Sequence, residues 1–155
     1  MVVNMKETVL CYLFKDNKCL MLLRNKKEDD MNHGKYIGIG GKIEVGETPE
    51  VALIREVREE TSLFLMGFTK RGIILFQNDD YSEVMHLYQS KTFMGELKEC
   101  DEGTLEWIDI DDIFKLNLWE GDKVFLKMML TGDDFFSIKL NYSNDKFIGW
   151  DYYEI

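Results

Sequence analysis

Gly40-Gly-Lys-Ile-Glu-Val-Gly-Glu-Thr-Pro-Glu-Val-Ala-Leu-Ile-Arg-Glu-Val-Arg-Glu-Glu-Thr-Ser-Leu63 is the most informative stretch of the chain. It reads as a strand end, a glycine-bounded loop, a capped helix and an exit loop. Thr48 is a good N-cap, and Pro49, the only proline, suits the first helical position. Glu50 follows in the first turn, where the helix dipole favours negative charge. Six glutamates crowd the stretch: Glu44, Glu47, Glu50, Glu56, Glu59 and Glu60.

On a helical wheel Glu56, Glu59 and Glu60 fall within one face about 100° wide. Ala52 lies among them and leaves space. Leu53, Ile54 and Val57 form the neighbouring apolar face, suited to packing on a sheet. Arg55 flanks the acidic face and precedes Glu59 by one turn. Like charges so placed weaken a helix by a few tenths of a kcal/mol per pair, roughly. A hard cation would reverse that cost, since Mg²⁺ takes one or two carboxylates together with substrate phosphate. Taken alone, Glu56-Val-Arg-Glu-Glu60 favours a solvated helix face.

Upstream, Thr8–Phe14 and Cys19–Leu23 are apolar runs separated by Lys15–Lys18, so residues 8–24 read as a hairpin. Residues 24–36 read as a polar loop, and Ile37–Gly41 as a short strand whose glycines allow close backbone approach. Downstream, strands are expected at 63–67, 72–76, 84–93 and 105–108, with a turn at Gln77–Asp80 and an acidic loop at Gly95–Gly103. A second helix is expected over Trp119–Leu130, where Val124, Phe125, Met128 and Met129 recur at helical spacing. Phe136, Ile138, Leu140 and Tyr142 alternate with polar residues, a half-buried strand. Ser143–Lys146 then turns into a last strand, 147–152. The order predicts a mixed sheet between helices.

The 155 residues are 45% hydrophobic and suit a single domain over 1–155 with a real core. No apolar run is long enough to span a membrane, and residues 1–7 lack the apolar centre of a signal peptide, so a cytoplasmic location is expected. Cys11, Cys19 and Cys100 have no metal or disulfide spacing. The net charge of −10 repels nucleic-acid polymers, yet permits a small anionic ligand where a divalent cation neutralises the site.

Gly41, Glu47, Arg55, Glu56, Val57, Glu59, Glu60 and Leu63 stand at the spacing Gly-x5-Glu-x7-Arg-Glu-U-x-Glu-Glu-x-Gly-U, with U aliphatic. The chain therefore resembles the Nudix hydrolases. Ser62 replaces the glycine usual after the helix, where a left-handed residue commonly closes it.

The resemblance implies an α/β fold of the Nudix type, an α/β/α sandwich with a mixed β-sheet between helices. It implies hydrolysis of nucleoside diphosphates linked to another moiety, with Mg²⁺ or Mn²⁺ as cofactor. By position, Glu56, Glu59 and Glu60 would hold metal, with Gly40 offering its carbonyl and Glu47 supporting the loop. Arg55 would orient the carboxylates. Glu56 and Glu102 are both candidates for the general base, and Glu102, or alternatively Glu99, would complete the metal site.

The overall run is similar to the MutT-type branch, which acts on 8-oxo-dGTP. In related animal oxidised-purine triphosphatases a Trp-Pro-Asp-Asp segment reads the base. Here the matching segment is Trp119-Glu-Gly-Asp122, which keeps Asp122 and replaces the other aspartate by Gly121. An asparagine of those enzymes is Ile37 here. Asp122 is thus the expected base reader. Tyr36, Phe76 and Trp119 are candidates for stacking, and Arg24 and Lys42 for phosphate, or alternatively for ordinary packing and surface charge.

The expected partner is a small nucleotide, with no nucleic-acid polymer and no membrane, and the protein a monomer or homodimer. Alternatives are a pterin triphosphate, a nucleotide sugar, a dinucleoside polyphosphate, or a non-catalytic nucleotide-sensing role.

Overall fold

The computed structural model describes residues 5–154. Its centre is β1 (Lys6–Lys15). From Val9 to Phe14 this strand is continuously apolar, because both of its faces are covered there. Val9, Cys11 and Leu13 enter one core with Ala52, Leu53, Val57 and Leu65. Tyr12, with Leu10 and Phe14 packed alongside, enters the other core with Phe76, Phe125, Met129 and Ile138. The first core lies under α1 (Pro49–Thr61), the second under α2 (Glu120–Thr131). The sheet is therefore sandwiched between helices, as the strand-rich order with two helices predicts. Full burial of Leu53 and Val57 alone is worth roughly 1.5–3 kcal/mol each.

The first hairpin forms through Asp16 and Asn17, both at positive φ (52° and 61°), the mirror-image turn that two-residue hairpins prefer. Only Phe14↔Cys19 and Lys15↔Lys18 pair, however. Beyond them the two strands part. β1 pairs parallel with β6 (Tyr81–Met94) and antiparallel with β4 (Ile39–Lys42). β2 (Lys18–Leu23) pairs with β3 (Tyr36–Ile37) and β7 (Thr104–Asp109). The main path runs β3-β2-β1-β6-β5-β8-β9, with β5 (Phe64–Asn78), β8 (Phe136–Ser143) and β9 (Lys146–Tyr152).

Three local readings differ from the sequence expectation. The runs expected at 63–67 and 72–76 are one strand, β5, with register shifts between Leu65 and Gly72. Bulges of this kind keep a strand in its sheet while breaking the alternation a sequence reading relies on. β6 begins at Tyr81 rather than at Val84. A 3-10 helix, Ile110–Lys115, follows β7 and buries Ile113.

Arg71 is the largest fully buried side chain. Its guanidinium donates to the carbonyls of Met129 (3.1 Å) and Gly132 (2.7 Å) at the end of α2, and to Gln89 Oε1 (2.7 Å). Those last helical carbonyls have no partner within the helix, so a buried cation is well matched to them. Among the described residues no helix is long and apolar enough to cross a membrane.

Candidate active site

α1 starts as its sequence dictates. Thr48 Oγ1 accepts the Val51 amide at 3.2 Å and Pro49 opens the first turn. The helix ends on Ser62, whose φ of 66° and ψ of 11° are left-handed and whose amide donates to Arg58 O at 2.9 Å. Ser62 therefore adopts the conformation for which glycine is favoured. Between β4 and α1, the Glu44 amide donates to Glu47 Oε1 at 2.9 Å.

Arg55 is the hub of the acidic face. It forks onto Glu47 through Nε (2.7 Å) and Nη2 (2.8 Å). Nη2 also donates to Lys42 O at 3.0 Å. Nη1 reaches Glu56 (2.7 Å) and Glu59 (3.2 Å). Hydrogen bonds from Arg55, then from the backbone, hold the Glu47 carboxyl down at about 2. The guanidinium is itself pushed up, chiefly by Glu47.

The three helical glutamates are graded rather than equivalent. Glu59 is solvent-facing, Glu56 half-buried, and Glu60 buried. Glu60 Oε2 accepts the Gly40 amide at 3.0 Å. Glycine is required there, because a Cβ on Gly40 would fall on the Val9 carbonyl of β1. Burial, then Glu102, pushes the Glu60 carboxyl up to about 10. Glu56 is also raised, first by burial, with Arg55 opposing.

Glu60, Cys100 and Glu102 bring ligand atoms within 4.8 Å of one another. Sequence reasoning did not single out Cys100; its sulfur accepts the Glu102 amide at 3.3 Å. Glu99 is exposed and outside the cavity.

A cavity of about 560 Å³ runs from this cluster to α2, where β1 and β2 part. Gly40, Gly41, Lys42, Glu56 and Glu102 line one end; Phe76, Glu83, Met85, Trp119 and Asp122 line the other. Arg24 lines it too, held by Asp30 (2.7 Å) and Glu102 (3.3 Å). Trp119 Nε1 donates to Asn32 Oδ1 at 2.8 Å. Asp122 is buried in the first turn of α2, and burial, then the charge of Glu83, raises its carboxyl to about 7.

Tyr36 is not brought into the cavity; it packs against the α2-side core, with its hydroxyl near Glu106. Met31 and Asn32 do line it. Tyr81, Glu83 and Met85 were missed in the sequence. They alternate along β6 and share one face, a signal visible once the strand is begun at Tyr81.

The NUDIX domain family matches residues 5–129. A Nudix hydrolase of Bacillus subtilis is 30% identical over 128 residues, 79% of this chain and 77% of that protein. The oxidized purine nucleoside triphosphate hydrolase of Danio rerio is 35% identical over 111 residues, 70% of this chain and 71% of that one. The crystal structure of a MutT protein from Bacillus halodurans superposes with a TM-score of 0.86 at 23% identity, covering 95% of this chain and 97% of that chain. With the fold, the glycine-bounded loop and the glutamate helix in place, the chain belongs to the Nudix family, and it is a Nudix hydrolase. Such an enzyme acts on the phosphoanhydride bond of a nucleotide diphosphate.

Proposed function

We propose that the protein is a cytoplasmic, Mg²⁺-dependent pyrophosphohydrolase of oxidised purine nucleoside triphosphates. It would convert 8-oxo-dGTP to the monophosphate and pyrophosphate. The observation that carries this is the polarity of the cavity lined by Glu56, Glu102, Trp119 and Asp122. Carboxylates and glycine backbone stand at one end; Phe76, Trp119, a methionine, the buried Asp122 and the half-buried Glu83 stand at the other. A nucleoside triphosphate has the same division, with a charged tail and a flat base. The similarity to the Danio rerio protein supports the same substrate class.

The residues present fit a divalent cation. Glu60 is buried with no cationic side chain bonded to it, only the Gly40 amide. Its carboxyl is pushed up by burial and by Glu102, so a bound cation would offset the crowded negative charge around it. Hard oxygen donors in that state suit Mg²⁺ or Mn²⁺. Glu56, Glu59, Glu60 and Glu102, with the Gly40 carbonyl, are the proposed ligands. When bound, the cation neutralises the polyphosphate and makes water a usable nucleophile.

The chain's own groups do the rest. Arg55 clamps Glu47, Glu56 and Glu59, so the carboxylates are presented in fixed orientation. Glu56 and Glu102 are the two groups proposed to take the proton from the attacking water. Phe76 and Trp119 would flank the base, Asp122 would hydrogen-bond its edge, and Lys42 would meet phosphate at the open end.

A panel of nucleoside triphosphates, nucleotide sugars and dinucleoside polyphosphates, assayed with Mg²⁺, tests this. The expected result is preferential turnover of oxidised purine triphosphates, yielding pyrophosphate rather than orthophosphate. Preference for a nucleotide sugar or dinucleoside polyphosphate would overturn the substrate. Unchanged turnover in Glu59→Gln would overturn the metal assignment.

A further inference from the structure

The α2 end of the cavity holds two carboxyls, and among the described residues only one of them has its hydrogen bonds made within the protein. Glu83 stands in β6, in register with Lys6 of β1 on one side and Phe76 of β5 on the other. Its Oε1 accepts the Tyr81 hydroxyl at 2.5 Å and its Oε2 accepts the Thr8 hydroxyl at 2.7 Å. Two donors on two different strands fix the plane of the carboxylate. Asp122 is 8% exposed, lines the same cavity, and among the described residues receives no side-chain hydrogen bond. A buried carboxyl without a partner is costly, which marks the space before it as a place for a ligand group.

The lone pairs define what that ligand group is. Each carboxylate oxygen offers two acceptor sites. The hydroxyls of Tyr81 and Thr8 take one from each oxygen of Glu83, which leaves one on each. Two parallel acceptors side by side match two adjacent N–H donors. Guanine and 8-oxoguanine present such a pair in the ring N1–H and the 2-amino group. Adenine presents one N–H beside a bare ring nitrogen, whose lone pair would face the second oxygen. Asp122, raised to about 7 by burial and then by Glu83, can carry a proton and donate to a neighbouring carbonyl. Lys35 is the cation that acts on Asp122 in the opposite sense.

We propose that Glu83 is a specificity-determining residue of the base subsite, accepting the paired N–H donors of a guanine-type edge while Asp122 bonds the atom beside them. This deepens, and rests on, the reading of the cavity as a purine nucleotide site. It assigns the amino–imino edge to Glu83 and leaves the oxidised ring position to other residues of the cavity.

Binding of the nucleoside monophosphates separates recognition from chemistry. Titration of dGMP, 8-oxo-dGMP and dAMP into the full chain, followed by calorimetry, is expected to show both guanine-type ligands binding more tightly than dAMP. Loss of one charged hydrogen-bonding partner corresponds to roughly tenfold or more in affinity. Glu83→Gln, which puts an N–H where an acceptor was, is therefore expected to weaken dGMP and 8-oxo-dGMP about tenfold while leaving dAMP within about twofold. Thr8→Val, which frees one oxygen of Glu83, is expected to shift the same ratio in the same direction by a smaller factor, and guards against misfolding of the first variant. Equal loss on all three ligands, no loss, or no guanine preference in the wild type would overturn the proposal. Turnover of oxidised purine triphosphates with an indifferent Glu83→Gln would overturn it and leave the proposed function standing. Guanine preference without triphosphate turnover would do the reverse.

Discussion

Gly41 and Glu56 meet across the gap between β4 and α1. A Cβ built on Gly41 would lie 2.5 and 2.6 Å from the two carboxylate oxygens of Glu56. The glycine is therefore a space reserved for a carboxylate, not a hinge. Gly41→Ala is expected to displace Glu56 and cut kcat/KM at least a hundredfold, while the melting temperature falls by only a few degrees, since one methyl is added at a half-buried site. Full activity in this variant would remove Glu56 from the reacting cluster.

Arg55 makes five hydrogen bonds to Glu47, Glu56, Glu59 and the Lys42 carbonyl. A lysine supplies the charge but not the fork. Arg55→Lys is expected to lose most of the activity lost in Arg55→Ala, with the fall in kcat rather than in KM. Rescue to near wild-type rates by lysine would show that charge alone suffices. Because Arg55 holds the Glu47 carboxyl at about 2, that carboxylate remains ionised across the whole range in which the enzyme could work.

As the proposed ligand, Glu60 would bind a cation only when deprotonated, yet burial and then Glu102 hold its carboxyl up at about 10. Cation binding at pH 7.5 is therefore expected to release close to one proton. Calorimetric titration with Mg²⁺ in buffers of different ionisation enthalpy reads this directly; identical heats in all of them would contradict it. Glu60→Gln is expected to abolish the release.

Asp122 sets a slope on stability. Its folded value of about 7 lies above the ordinary 3.8, so the folded state holds the extra proton between those limits. Stability is thus greatest below about pH 4 from this group and falls as pH rises to 7, at about 1.4 kcal/mol per unit at most. Asp122→Asn is expected to flatten that slope and to melt higher than wild type at pH 8. A parallel pH dependence in both proteins would show that Asp122 ionises freely.

Ser62 occupies a left-handed position at the end of α1. Ser62→Gly relieves a conformational cost of about 1–2 kcal/mol and adds back part of it through the freer unfolded chain. A net gain of roughly 0.5–1 kcal/mol, or about 1–4 °C in melting temperature, is expected, with unchanged turnover.

The helix and its acidic face were legible because their rules are local. A Thr-Pro start and carboxylates spaced three and four apart need no knowledge of the rest of the chain. The difference between Glu59 and Glu60 was not legible, since it depends on which side of α1 meets β4. The α2 end of the cavity was legible at Phe76, Trp119 and Asp122. Glu83 reaches it through the pairing of β1 with β6, which brings Thr8 to a residue 75 positions away. Tyr36 fell outside for the same reason in reverse: its aromatic character suggested stacking, but the pairing of Leu23 with Tyr36 directs it elsewhere. The bulges of β5 hid a continuous strand behind what looked like a break.

Arg71 grips the final carbonyls of α2, while Asp122 sits in the first turn of the same helix. Twelve residues of helix form a stiff pointer about 18 Å long. Its direction is set at the anchored butt, and a small tilt there sweeps the tip, with Asp122, across the end of the cavity. Substitutions at Gln89, Arg71 and Gly132, none of which lines that cavity, are therefore expected to shift Asp122 within it.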